Sequence, residues 1–337
     1  MLKLTVNPRS VAAITAALRK IREMIMTGAV AKDSPIHILL EAGTYTETVR
    51  YNLSNPLIME STPGTKVSDC VIQVDNCESF NRGAENRGVF VIGPSATNVK
   101  LRNFTILNTH AKTLTEGSCL ADSAEAFVWN NTEGTLLAEG MHFTGRQNVL
   151  TLKGNTWFKD CQITGDVDVI SGEVNTAFFE ECLVTLREDN RGDYDGFAVK
   201  SQALAEKTGF IFLNCRFSGD KRRRANLYVC RTEGKGSARS LKGWDNIALL
   251  NCMISDIYND ELVWDDDMSL EVYPRGNAKF GVREYNTKTV AKNGDVTEAE
   301  TIKRNVKSYL LTKDDYFANY ASRYLILKET PFAEKIE

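Results

Sequence analysis

The chain has 337 residues, 42% of them hydrophobic and 25% charged, with 41 basic against 44 acidic side chains and a formal charge of −3. That is enough apolar material for one large core, and scattered basic residues in a near-even charge balance exclude a nucleic-acid-binding surface. No run approaches 18 apolar residues, so no membrane-spanning helix is expected.

Met1 to Pro8 lack the apolar stretch and small-residue cleavage site of an export signal, and the expectation is a cytoplasmic protein, or a secreted one if a leader has been trimmed away. Residues 10–26 read as an amphipathic helix: Val11, Ile14, Leu18, Ile21 and Ile25 recur at three- and four-residue spacing, and Ser10 can cap its start. Ile36–Leu40 reads as a short apolar strand after Pro35, followed by a turn and a second strand over Ala42–Val49.

Beyond about residue 95 the helical period gives way to a recurring strand-turn-strand unit. Its clearest copies are Phe158-Lys-Asp-Cys161-Gln-Ile163, Phe179-Glu-Glu-Cys182-Leu-Val184, Phe212-Leu-Asn-Cys215-Arg-Phe217 and Leu249-Leu-Asn-Cys252-Met-Ile254. Weaker copies start at Leu101 and Leu137. The cysteines step by 21, 33 and 37 residues, a base unit near twenty with insertions. Units that short bury a face only by stacking, so the pattern predicts a solenoid whose insertions become loops on one side. Alternation within each unit makes the coils β. The four cysteines should then form an interior ladder of reduced thiols. The others, Cys70, Cys77, Cys119 and Cys230, include no C-x-x-C pair, so no zinc site is expected.

The expected architecture is all-β: one domain, a single-stranded right-handed parallel β-helix over 36–275. Residues 1–35 carry an N-terminal capping helix. Residues 276–337, polar and then aromatic (Tyr309, Tyr316, Phe317, Tyr320, Tyr324), form a tail packed on the outside.

The densest polar constellation is Gly145-Arg-Gln147-Asn148-Val-Leu150 followed by Gly165-Asp166-Val-Asp168-Val-Ile-Ser171-Gly172. Gln147 and Asp168 lie 21 residues apart, one coil, so their side chains should converge on one patch. Asp168 sits between valines, where a carboxylate needs a donor or cation, unless it only caps a turn at the loop edge.

At these residues the chain resembles the pectin methylesterases, whose coils carry Gln-Asp-Thr-Leu, Gly-Thr-Val-Asp-Phe-Ile-Phe-Gly and Leu-Gly-Arg-Pro-Trp. The counterparts are Gln147–Leu150, Gly165–Gly172 and Val229-Cys230-Arg231-Thr232-Glu233, with an early Gly43-Thr-Tyr45-Thr-Glu47 and a Ser123-Ala-Glu125-Ala-Phe127 between. The similarity covers roughly residues 36–256.

The resemblance implies hydrolysis of galacturonate methyl esters in pectin or oligogalacturonides, without cofactor or metal. It gives Asp168 the role of nucleophile, Gln147 that of oxyanion donor and Arg231 that of the cation paired with Asp168. The family's acid/base Asp is Asn148 here. Its first oxyanion Gln is Ser123, its second aromatic is Ser171 and its sugar-stacking Trp is Glu233.

An amide cannot protonate departing methoxide. Three readings stay open: an introduced change at 148, a neighbouring carboxylate (Glu125 or Asp166) supplying the proton, or a site that binds pectic fragments and barely turns over. A polysaccharide lyase on the same fold is the other alternative.

Tyr228 is a candidate sugar platform, with Trp129, Trp157, Trp244 and Trp264 weaker ones. His37, His110 and His142 read as structural or surface residues. Lys221–Arg224 reads as a solvated turn or an anion-docking surface, and Trp264-Asp-Asp-Asp267 as a solvated acidic loop or a calcium site. A monomer is expected.

Overall fold

The computed structural model describes residues 1–112, 122–188, 195–203, 207–220, 226–231, 246–258, 278–298 and 308–335. Cys119, Lys221–Arg224, Glu233, Trp244 and Trp264–Asp267 lie outside them.

The chain winds as a parallel β-helix with three faces. Strands of the first face, from Ile36–Leu40 through Leu57–Ser61, Asn98–Arg102 and Thr135–Glu139 to Gly209–Leu213, Ile247–Leu250 and Val282–Tyr285, stack in parallel register. The second face runs from Gly43–Thr46 through Cys70–Val74, Thr105–Asn108, His142–Thr144, Gln162–Gly165 and Leu183–Leu186 to Lys288–Val290. The third comprises Val49–Tyr51, Phe90–Ile92, Phe127–Trp129, the starts of Leu150–Lys159 and Ile170–Glu180, then Gly196–Ala203 and Leu227–Arg231. The coil stack continues past the expected end at 275, to Val290.

A left-handed residue turns the chain from the first face into the second: Asn103, Gly140, Asp160, Glu181, Asn214, Asn251 and Asn286 all have φ between 49° and 60°. Asn, Asp and Gly tolerate that conformation best. The residue after each turn points inward, and in four coils it is the repeated cysteine. Cys161, Cys182, Cys215 and Cys252 are free and at most 1% exposed. Each thiol donates to a carbonyl one coil back, at Ala138, Phe158, Phe179 and Phe212, over 3.4–3.5 Å. Beside them Phe158, Phe179 and Phe212 stack at 4.8 and 4.7 Å. Burial pushes the Cys252 thiol up to about 12. All four thiols are shut off from solvent, so they should label slowly in native protein and at once in denaturant. Fast native labelling would contradict the ladder.

The N-terminal capping helix is present, with two differences of detail. Leu2–Val6 is a strand paired in parallel with Ile36–Leu40; its alternation was a signal left unread. The helix runs Ala13–Met26, and Ser10 does not cap it. Glu47 does, accepting the N–H of Ile14 at 2.9 Å and of Thr15 at 2.8 Å. A carboxylate there satisfies donors the helix leaves open and favours its positive end. Val11, outside the helix, is 95% exposed. The Gly-x-Tyr-x-Glu segment thus serves the cap. The Tyr45 hydroxyl donates to the Val6 and Glu41 carbonyls, and a Cβ on Gly43 would meet Pro8 at 2.6 Å.

At the other end Leu311, Tyr320, Ile326, Leu327 and Phe332 cover the outward side chains of the first face, Trp157, Phe178, Ile211 and Ala248. The tail therefore packs on the outside, although Phe317 and Tyr324 are exposed. Trp157 lies beneath it, 6.0 Å from Phe332, and Trp129 is fully buried in the core, so neither offers a sugar platform.

Candidate active site

The corner between the second and third faces carries the polar constellation. Leu107, Thr144 and Thr164 stack at the ends of successive second-face strands, and the chain leaves them toward His110, Asn148 and Asp168. Two glycines are forced by coil-on-coil packing. A Cβ on Gly165 would meet Val149 at 2.6 Å, and one on Gly172, whose φ is 135°, would meet the Leu152 carbonyl at 1.8 Å.

Asn148 (φ 57°) and Asp168 (φ 50°) are both left-handed, a conformation that non-glycine residues keep only where the surroundings impose it. The register differs from the expected step of 21. Gln147 bridges Val167, and Leu150 pairs with Ile170. Asn148 therefore stacks on Asp168, with Gln147 diagonal to it.

Asp168 is 2% exposed. Arg231 grips it with a planar fork, Nε to Oδ1 at 2.6 Å and Nη2 to Oδ2 at 2.5 Å. Such a fork fixes the carboxylate's orientation as well as balancing its charge. The guanidinium lies 4.9 Å over the Phe197 ring, and Phe197 stacks on Tyr228 at 5.0 Å. Tyr228 is only 9% exposed, so its ring supports the platform under Arg231. Phe197 escaped the sequence reading because the similarity offered no motif at its coil.

Gln147 is mostly buried, and its Oε1 has no hydrogen-bond partner among the described residues. The Asn148 amide donates to Ser123 Oγ at 2.9 Å. The Ser171 hydroxyl donates to the Leu150 carbonyl at 3.3 Å. It lies in one outward row with Thr151, Lys200 and Arg231. Asp168, Arg231, Asn148, Ser123 and Gln147 thus gather at one corner, with Ser171 and Tyr228 beside it.

The two carboxylates that one of the three readings offered as the missing acid are engaged elsewhere. Glu125, 1% exposed, takes both guanidinium arms of Arg87, Nε to Oε2 at 2.5 Å and Nη2 to Oε1 at 2.7 Å. It is neither on the groove rim nor open to a substrate. Burial pushes its carboxyl up, against the pull of Arg87. Asp166 is fully buried, 2.8 Å from Lys112 Nζ. Alternation alone placed Glu125 with Ser123, but the segment is not a strand until Phe127. Neither Arg87 nor Lys112 carried a signal in sequence, because each partner comes from a different coil.

The chain matches the pectinesterase family over residues 10–294. Among curated relatives, a probable pectinesterase/pectinesterase inhibitor of Arabidopsis thaliana is 23% identical over 72% of this chain, and a putative pectinesterase of the same plant 25% over 60%. The chain spans 40% and 59% of their lengths.

Among solved structures, the pectin methylesterase PemA of Erwinia chrysanthemi superposes with a TM-score of 0.69, at 17% identity and covering 98% of both chains. The pectin methylesterase of Yersinia enterocolitica gives 0.67 at 18% identity, covering 94% of this chain and 99% of its own. A pectin methylesterase in complex with a hexasaccharide gives 0.66 at 18% identity, covering 92% of each. A match over most of the chain, on the parallel β-helix that these structures share, places the protein in the pectinesterase family.

Proposed function

We propose that the protein hydrolyses methyl esters of galacturonate in pectin or its oligosaccharides, slowly, with Asp168 as nucleophile. The observation that carries this reading is the buried Asp168 held by the Arg231 fork on a left-handed corner.

In this reading an Asp168 oxygen attacks the ester carbonyl, forming an acyl-enzyme and expelling methoxide. The Gln147 amide, diagonal to Asp168, donates to the oxyanion. Water then attacks the acyl-enzyme and releases the galacturonate carboxylate and Asp168. Methoxide departs poorly unless protonated, and Asn148 has no proton to give, so solvent supplies it and the first step is slow. Lys200, partly exposed in the row that ends at Arg231, can pair with neighbouring carboxylates of an acidic polymer. A site that mainly binds is the second reading, and the Asn148 amide is what favours it.

Methylated oligogalacturonide incubated with the protein should release methanol and new carboxylate in equal amounts, with no ultraviolet-absorbing unsaturated product. Unsaturated product would mark a lyase, and binding without methanol would favour the second reading.

A further inference from the structure

A second polar cluster lies at the same corner, toward the N-terminal end. Cys77 follows the second-face strand Cys70–Val74, and His110 follows Thr105–Asn108, the strand paired with it. Asp122 precedes the third-face strand Phe127–Trp129. A donor atom from each of Cys77, His110 and Asp122 lies within 4.8 Å of the other two. His110 Nε2 is 2.7 Å from Asp122 Oδ2, and Nδ1 is 2.9 Å from Asp75 Oδ1. Ser79 Oγ donates to the other Asp122 oxygen at 3.1 Å.

The surroundings fit a cation. Cys77 is fully buried, and the His110 and Asp122 side chains are 10% and 15% exposed. The Phe80 ring stands edge-on to His110 at 5.7 Å. Asp75 and Asp122 share His110, and among the described residues no Lys or Arg forms an ion pair with either. Two carboxylates around one imidazole leave the cluster short of positive charge.

We propose that Cys77, His110 and Asp122 bind a divalent transition metal of the zinc class, with Asp75 orienting His110 from behind. Sulfur and imidazole donors select zinc or cobalt over calcium or magnesium. An Asp on the far ring nitrogen is the usual outer partner of a metal-bound histidine. Three protein donors leave one tetrahedral position for water or another ligand. The ion replaces the proton between Nε2 and Asp122 and the thiol proton of Cys77, both released to solvent, and the Nε2 and Asp122 donors part to roughly 3.3 Å, the spacing set by metal–ligand distances of about 2.0–2.2 Å. Absence of a C-x-x-C pair does not count against such a site, because its donors come from three separate loops.

Binding would tie the 75–78 and 122–123 segments together. The two already meet where the Glu78 N–H donates to the Ser123 carbonyl at 2.9 Å, and Ser123 is the residue that holds Asn148. The site therefore braces the groove edge without joining the ester chemistry.

The test is cobalt titration of the full chain after chelator dialysis. One equivalent should bind with a tetrahedral visible spectrum and a near-ultraviolet thiolate-to-cobalt band, and zinc should displace it and raise Tm. Cys77→Ser should abolish the band. Asp75→Asn should keep the band and weaken affinity by roughly 10–100-fold. Failure to take up one equivalent, a six-coordinate spectrum without the thiolate band, or a band that survives Cys77→Ser would each overturn the site.

Discussion

Asn148→Asp should raise methanol release by roughly 10²–10⁴, the span of one general acid. The change is nearly isosteric, and Asp tolerates the left-handed φ of 57° at this corner as Asn does. The Ser123 hydroxyl, which now accepts from the Asn148 amide at 2.9 Å, can rotate to donate to a carboxylate instead. Stacked on Asp168, the new carboxyl would share a site with a like charge, which disfavours double ionisation and leaves it a proton to give.

Glu125→Gln separates this account from one in which Glu125 is the acid. It should leave activity at low temperature largely intact and lower stability, because it strips a partner from buried Arg87. Loss of hydrolysis with unchanged stability would assign the acid to Glu125 after all.

Arg231→Ala should lower turnover by roughly 10²–10³, the scale of removing one preorganised electrostatic group. The carboxylate of Asp168, 2% exposed, would lose both hydrogen bonds of the fork and turn away from the ester carbonyl. Arg231→Lys should recover little. An ammonium supplies charge but not two parallel donors, and it stacks less well on Phe197. Arg19→Ala, on the exposed side of the N-terminal helix, should change nothing. Equal activity in all three variants would remove Arg231 from the site.

The solenoid was readable because its period is short and its inward position repeats: four cysteines at one turn declare the coil before any strand is assigned. Cysteine, like phenylalanine, stacks on its own kind within a coil ladder. Asp168 was readable through the resemblance of Gly165–Gly172 to the family motif; its flanking valines alone left a turn cap equally open, and the chain sets it at a left-handed corner between two strands.

What escaped is what sequence distance hides. Glu47 reaches back 33 residues to cap the helix at Ile14. Arg87 and Glu125 pair across 38 residues, and Lys112 and Asp166 across 54. A slip of one residue in the coil step set Gln147 rather than Asn148 on Asp168, since periodicity gives the coil and only hydrogen bonding gives the register. Phe197 and the tail-covered Trp157 show the same limit for aromatics: composition names them, and packing decides whether they face sugar, arginine or core.

The central claim is that Asp168 attacks the ester. Methanol release from methylated oligogalacturonide by native protein and by Asp168→Ala, with oligosaccharide binding measured on both, tests it directly. The account predicts slow, catalytic release by the native chain and none above background from Asp168→Ala, which still binds the oligosaccharide. Equal methanol release by the two proteins would contradict it.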